Sequence, residues 1–212
     1  MCGRLAMRLL YLCDGGQPSI IFPVGKPETG GSCAFATEHC LQYCPSLEPK
    51  EREREVLEYF KKEPPSAIIS KILNELVQLF NSLFLYWHSW GDCLPELEDK
   101  EIKIMSALHS RGIVQCGATR NLSLWHRIPF ERSLRIAYHA ESQEEAVVKS
   151  QICGRLTCYP DVKRGKAQFF VNGKKVAECC GYWTQWLDGE VEEADCRRCY
   201  IYRQGCFFEA NR

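Results

Sequence analysis

The chain has 212 residues, enough to build one hydrophobic core without disulfides or partners to hold it together. Lys plus Arg and Asp plus Glu both number 27, so the net charge is zero and the strongly basic surface of a nonspecific nucleic-acid binder is excluded. With 45% hydrophobic and 25% charged residues, the composition also excludes wholesale disorder and a collagen-like repeat.

Cysteine is the exception, at 14 residues. The first residues carry Arg4 and Arg8, but their apolar run, Leu9 to Leu12, is shorter than a signal-peptide core. No apolar stretch approaches the roughly 18 residues of a membrane span. The expectation is a soluble, cytoplasmic protein with no membrane partner. In such a reducing compartment clustered cysteines serve as metal ligands or redox groups more often than as disulfides.

In chain order, Ser19 to Val24 reads as a strand, and the glycine-bearing loop Gly25 to Ser32 carries it into Cys33. Glu48 to Glu63 alternates acids and bases around a sparse stripe of Val56, Leu57 and Phe60, the pattern of a solvated helix. Pro64-Pro65-Ser66 stops it, and Ala67 to Phe80 has the apolar spacing of a second helix. A repeating beat follows: strand Leu83–Trp87, helix Pro95–His109 stopped by Gly112, strand Ile113–Cys116, a short helical stretch after Thr119-Arg120-Asn121, and strand Leu134–Tyr138. Ser142-Gln143-Glu144-Glu145 then opens a helix to Ile152 in a capping-box pattern, and Leu156–Tyr159 is the next strand. Strands alternating with helices in this way predict parallel βαβ units, in a partial barrel or an open sheet, with active residues just after the strands.

The pattern changes after Pro160. Gln168 to Val176 reads as a hairpin around Asn172-Gly173, and the tail from Cys179 onward has little periodicity. Two units are expected: residues 1–160 as the α/β body, and 161–212 as a hairpin plus a Cys-rich tail ordered by metal more than by core burial.

Two cysteine constellations carry chemistry. Cys33-x6-Cys40-x3-Cys44 lies in the loop after the first strand; three thiolates can grip three irons of a cubane cluster and leave the fourth open to a ligand. Zinc competes, with His39, His88 or Cys13 completing a tetrahedron. The second constellation is Cys179-Cys180, Cys196-x2-Cys199 and Cys206, from which Cys180, Cys196, Cys199 and Cys206 form the expected closed set, with Cys179 as substitute. Zinc and a second iron–sulfur cluster are both open there. Plain readings stand beside these: unligated buried cysteines, Gly91-Asp92 as a turn, Arg120 in an ordinary ion pair, and Phe84, Tyr86, Trp87 and Trp90 as packing. Arg197, Arg198 and Arg203 interleave with Tyr200, Tyr202 and Phe207, a basic-aromatic pattern able to stack on single-stranded nucleic acid and a minor reading beside zero net charge.

The stretch Gly31 to Cys44 resembles the cysteine loop of small phage-type, radical-SAM-like iron–sulfur proteins, which share the Cx6Cx3C spacing. The wider superfamily has Cx3Cx2C with an aromatic before the last cysteine, packed near the adenine of S-adenosylmethionine; Tyr43 stands in that place. Pro45-Ser46 follow Cys44 where the relatives have Tyr-Ala. The resemblance implies a [4Fe-4S] cluster on Cys33, Cys40 and Cys44, with the cofactor chelating the free iron. It also implies that the turn Ser89-Trp90-Gly91-Asp92 stands where the superfamily keeps a Gly-Gly-Glu-like motif, its backbone meeting the cofactor's amino group. Thr119-Arg120-Asn121 resembles a recurrent Thr-Arg turn of these proteins, with His139 and Ser142 lining the same mouth. The C-terminal cysteines likewise resemble those of the same family.

The fold that follows is a truncated (β/α) barrel of the radical SAM type with a small Cys-rich C-terminal metal-binding appendage. The implied activity is reductive cleavage of S-adenosylmethionine, driven by a flavodoxin- or ferredoxin-type reductant, to act on a substrate the sequence does not name; no catalytic residue is singled out. Two rivals from other classes are a noncatalytic zinc-binding interaction module and a simple iron–sulfur electron-transfer protein.

Overall fold

A computed structural model describes residues 7–12, 17–38, 40, 44, 49–131, 133–161 and 166–179. The strand signals condense into one eight-stranded sheet whose spatial order is the chain order: β1 (Leu10–Leu12), β2 (Pro18–Ile20), β3 (Phe84–Trp87), β4 (Val114–Thr119), β5 (Leu134–His139), β6 (Thr157–Asp161), β7 (Lys166–Val171) and β8 (Lys174–Cys179). Strands β2 to β6 are mutually parallel, while β1, β7 and β8 run antiparallel to their neighbours. The five parallel strands step in one direction, without the reversal of a doubly wound sheet, and among the described residues the sheet does not close into a barrel.

The helices are α1 (Glu51–Lys62), α2 (Pro65–Glu75), α3 (Glu98–His109), α4 (Leu122–Arg127) and α5 (Gln143–Cys153). Both α1 and α2 lie between β2 and β3. Pro65 sits in the first turn of α2, where its missing N–H costs nothing, and Val56, Leu57 and Phe60 are the buried stripe of α1. Lys100 crosses from α3 to cap α1, donating to the carbonyls of Phe60, Lys61 and Glu63 at 2.6, 3.0 and 3.0 Å. The second helix ends earlier than its apolar spacing suggested, passing at Leu76–Phe80 into one π turn closed by Asn81 at φ 44°. Gly112 ends α3 as expected, in a Schellman arrangement: its φ is 78°, its N–H reaches His109 O at 2.9 Å and Ile113 N–H reaches Leu108 O at 3.1 Å.

The main core lies between the sheet and α1 to α4, with Ile20, Leu85, Trp87, Leu134 and Ile136 of the strands meeting Phe60, Ile72, Ile104 and Leu124 of the helices. Trp125, Tyr138, Ala146 and Phe170 continue it under α5, and Ala137, Leu156, Cys158, Ala167 and Phe169 form a separate cluster. The strand β1 was not expected from the short apolar run Leu9 to Leu12. It is fixed by Glu75, whose buried carboxylate accepts from Leu9 N–H and Leu10 N–H at 2.8–3.0 Å. The Asn172-Gly173 hairpin is as read, with φ of 52° and 74° at its two turn residues, and its first strand extends the sheet through β6.

Candidate functional site at the carboxyl ends of the parallel strands

Ligands of parallel α/β sheets collect outside the carboxyl ends of the strands, where loops with free geometry meet. Here the turns after β2, β3, β4 and β5 are joined by one continuous polar framework. Leaving β2, Phe22 N–H donates to Trp90 O at 3.0 Å, so the chain entering the cysteine loop lies on the turn after β3. Ser32, the residue before Cys33, donates its hydroxyl to Pro23 O at 2.9 Å and accepts Asp92 N–H at 3.0 Å. Cys33 N–H closes the loop onto Gly25 O at 2.8 Å. Gly91 has to be glycine: its φ is 71°, and a Cβ there would lie 2.5 Å from Phe22 O and 2.6 Å from Ser32 Oγ.

Asp92 is the hub. Its Oδ1 accepts Thr119 Oγ1–H at 2.6 Å and Cys93 N–H at 2.7 Å, and its Oδ2 accepts Arg120 N–H at 2.8 Å. Burial raises the carboxyl's pKa, opposed by the nearby His88 and by these hydrogen bonds. All three of these side-chain bonds are buried. Thr119 Oγ1 in turn accepts Asn121 N–H at 2.9 Å, and Asn121 caps α4 by accepting Leu124 N–H at 3.0 Å while its amide donates to Glu98 at 2.8 Å. Arg120 then crosses to the turn after β5, where Nη1 lies 3.3 Å from Glu141 Oε1. Ser142 caps α5 as the sequence suggested, accepting Glu145 N–H at 3.1 Å, but the returning carboxylate of Glu145 takes Glu141 N–H, one residue earlier than a capping box requires.

Ser89 meets Ser19 of β2 at 2.5 Å between hydroxyl oxygens, and Ser89, Trp90, Gly91, Asp92, Thr119, Arg120, Asn121 and Ser142 all lie at the same end of the sheet. His139 is the last residue of β5. Phe84 and Trp87 are packing residues, as their plain reading had it. Tyr43, Cys180, Cys196, Cys199 and Cys206 lie outside the described residues, as do His39 and Cys13.

Of the metal candidates Cys33, Cys40 and Cys44 are described, and all three are half-buried. The Cys33 thiol is pushed up to about 12 by burial, by Asp92, and by Cys40 and Cys44, so the three lie within electrostatic reach of one another. The donor set suits iron or zinc in kind. Among the described residues, no group of three or more His, Cys, Asp or Glu has metal-ligand spacing. Outside the loop a cleft of about 640 Å³ separates it from α1, lined by Gly30, Gly31, Ala34, Arg54, Leu57 and Pro95 among others.

Two residues of the site were not foreseen in their roles. His88 follows β3 at φ 54°, a backbone state costly for a residue with a Cβ, and its fully buried ring meets the buried Glu101 carboxylate at 2.9 Å. Burial opposes the imidazolium, yet Glu101, and Asp92 at 3.8 Å from Nδ1, outweigh it, and the pKa is raised. The second ring nitrogen, Nδ1, has no hydrogen-bond partner among the described residues. A signal existed in α3, where Glu101 shares the apolar face of Ile104, Met105 and Leu108; a buried acid there demands a partner. Nothing in the spacing pointed to His88 as that partner.

Among the described residues no helix is long and apolar enough to cross a membrane. Compared with protein-family models, curated proteins and solved structures, the chain matches none.

Proposed function

We propose that the chain is a radical-SAM-like iron–sulfur protein, with a [4Fe-4S] cluster on Cys33, Cys40 and Cys44 and S-adenosylmethionine at the carboxyl ends of β2 to β5. The observation that carries this reading is the direct fastening of the cysteine loop to the next two strand-end turns, through Ser32 onto Asp92 and through Asp92 onto Thr119 and Arg120. A purely structural metal knuckle has no need for its loop to be registered against successive strand ends. When bound, the cluster and cofactor would supply one-electron reductive cleavage of a sulfonium bond, fed by a flavodoxin- or ferredoxin-type reductant.

The residues of this chain would bind and orient. Ser32 and Gly91 hold the cysteine loop at a fixed height above the β3 turn, Gly91 by letting Phe22 O and Ser32 Oγ come close to its backbone. Asn121 and Ser142, as helix caps, set the walls after β4 and β5. In the tail, Cys180, Cys196, Cys199 and Cys206 are proposed as ligands of a second cluster or of zinc.

The test is iron, acid-labile sulfide and zinc content of protein purified without oxygen, followed by dithionite- or flavodoxin-driven formation of 5′-deoxyadenosine. Four irons and four sulfides per chain, or twice that, with product above a Cys40→Ala control, is the expected result. Zinc without sulfide would replace this reading with the noncatalytic zinc module, and a reducible cluster that binds no cofactor would replace it with electron transfer.

A further inference from the structure

Arg120 is oddly provisioned for a buried cation. Its side chain is 7% exposed, yet among the described residues its ion pair is a single 3.3 Å contact from Nη1 to Glu141, whose own side chain is 42% exposed. The buried Nε has no hydrogen-bond acceptor among the described residues. A guanidinium presents a planar fork of donors matched to a two-oxygen acceptor, and a buried N–H left unmatched is costly. The backbone N–H of Arg120 is already tied to Asp92, so the residue cannot shift to find a better partner without breaking the strand-end framework. What it lacks is a second oxygen, delivered from the mouth.

The sheet face below the mouth has a matching sign. Register pairing lines Ser19, Tyr86, Cys116 and Arg135 across four strands, and Ala118 beside Ala137 one step nearer the mouth, on the side opposite the helix-packed Leu85, Trp87 and Ile136. His139 continues that face, paired with Cys158. The positions of β2 to β6 on this side include Arg135 and His139 and no Asp or Glu. Among the described strand positions on this side the full charge is positive, at Arg135.

We propose that this mouth receives an anionic substrate, whose carboxylate or phosphate is held by the Arg120 guanidinium in place of Glu141. Glu141 acts as the resident carboxylate, so entry exchanges one oxyanion for another and the cation is never left bare. This rests on the reading above only in calling the anion a substrate, since S-adenosylmethionine carries a carboxylate of its own.

The experiment uses inorganic phosphate as probe on the full chain, at constant ionic strength, reading the unfolding temperature and the broadening of the phosphorus resonance. In the wild type phosphate binds saturably. Glu141→Gln, at a half-exposed position, tightens binding severalfold by removing the competitor, while Arg120→Gln weakens it by about tenfold or more and Arg120→Lys, which keeps charge without the fork, recovers only part. Equal affinity in the wild type and Glu141→Gln overturns the proposal, and does so even should Arg120→Gln fail to fold. Protein stripped of iron gives the same affinities, so loss of the cluster reading leaves this result standing. On iron-loaded protein, S-adenosylmethionine and phosphate bind together; mutual exclusion would give the Arg120 site to the cofactor and overturn the substrate assignment.

Discussion

The strand-end mouth and the distal hairpin hold their shapes by different physics. At the mouth, Ser32, Asp92, Thr119, Arg120 and Asn121 interlock through hydrogen bonds of 2.6–3.0 Å, and little apolar surface is involved. In β6 to β8 the contacts that matter are apolar, with Phe169 against Cys158 and Ala137 on one side and Phe170 against Trp125 and Tyr138 on the other. Directional bonds fix atoms to a few tenths of an ångström, while burial holds elements together but tolerates repacking. The region that must hold a geometry is the one built from directional bonds.

Isosteric substitution breaks this comparison most directly. Asp92→Asn keeps the shape but must turn an amide NH₂ toward an N–H donor and removes a charge near His88, so it is expected to cost about 2–4 kcal/mol in urea unfolding. Phe169→Leu in the hairpin, where only volume and area count, is expected to cost less than about 1.5 kcal/mol. Equal tolerance at the two sites would erase the distinction.

A second test sharpens it through pH. The His88 imidazole has a folded pKa raised above its ordinary 6.5, so its contribution to stability is complete below that value and is lost as pH rises through the folded pKa. The wild type therefore loses stability on the alkaline side of 6.5, in a step that His88→Gln lacks. Equilibrium unfolding at a series of pH values reads it, and parallel profiles for the two proteins would contradict the His88–Glu101 charge pair.

A third contrast lies in the hairpin turn. Gly173 has φ 74°, and an added Cβ would meet Gln151 Cβ at 3.2 Å, so Gly173→Ala is expected to cost about 1–2 kcal/mol. That loss should shift the urea midpoint and leave metal content unaltered. A fall in bound metal would mean that the hairpin and the cysteine loop are coupled more tightly than their separate clusters imply.

The elements were largely legible because each depends on neighbours in sequence. The stripe Val56, Leu57 and Phe60 marks α1, Gly112 marks the end of α3, Ser142 the start of α5, and Asn172-Gly173 the hairpin; all four read correctly. Boundaries moved where long-range contacts intervened. The helix α2 ran into a π turn, and β1 formed because Glu75, some 66 residues away, supplied acceptors for its N–H groups. The mouth residues were legible as candidates because strand ends are where parallel sheets gather loops. Their individual roles were not: Asp92 is a hub, and its partners Ser32, Thr119 and Arg120 lie 60, 27 and 28 positions away.

Alternation of apolar strands and amphipathic helices determined by itself that this chain makes parallel βαβ units, since that pattern expresses short-range periodicity and burial. The spacing of Cys33, Cys40 and Cys44 determined by itself that one loop carries three thiols. Only the tertiary structure decided that the sheet steps in one direction without closing among the described residues, that His88 turns inward to Glu101, and that Arg120 crosses from β4 to Glu141. Those outcomes depend on which buried charges and hydrogen-bonding groups meet across dozens of residues. A local pattern announces that such a group needs a partner, and folding in three dimensions selects which partner it finds.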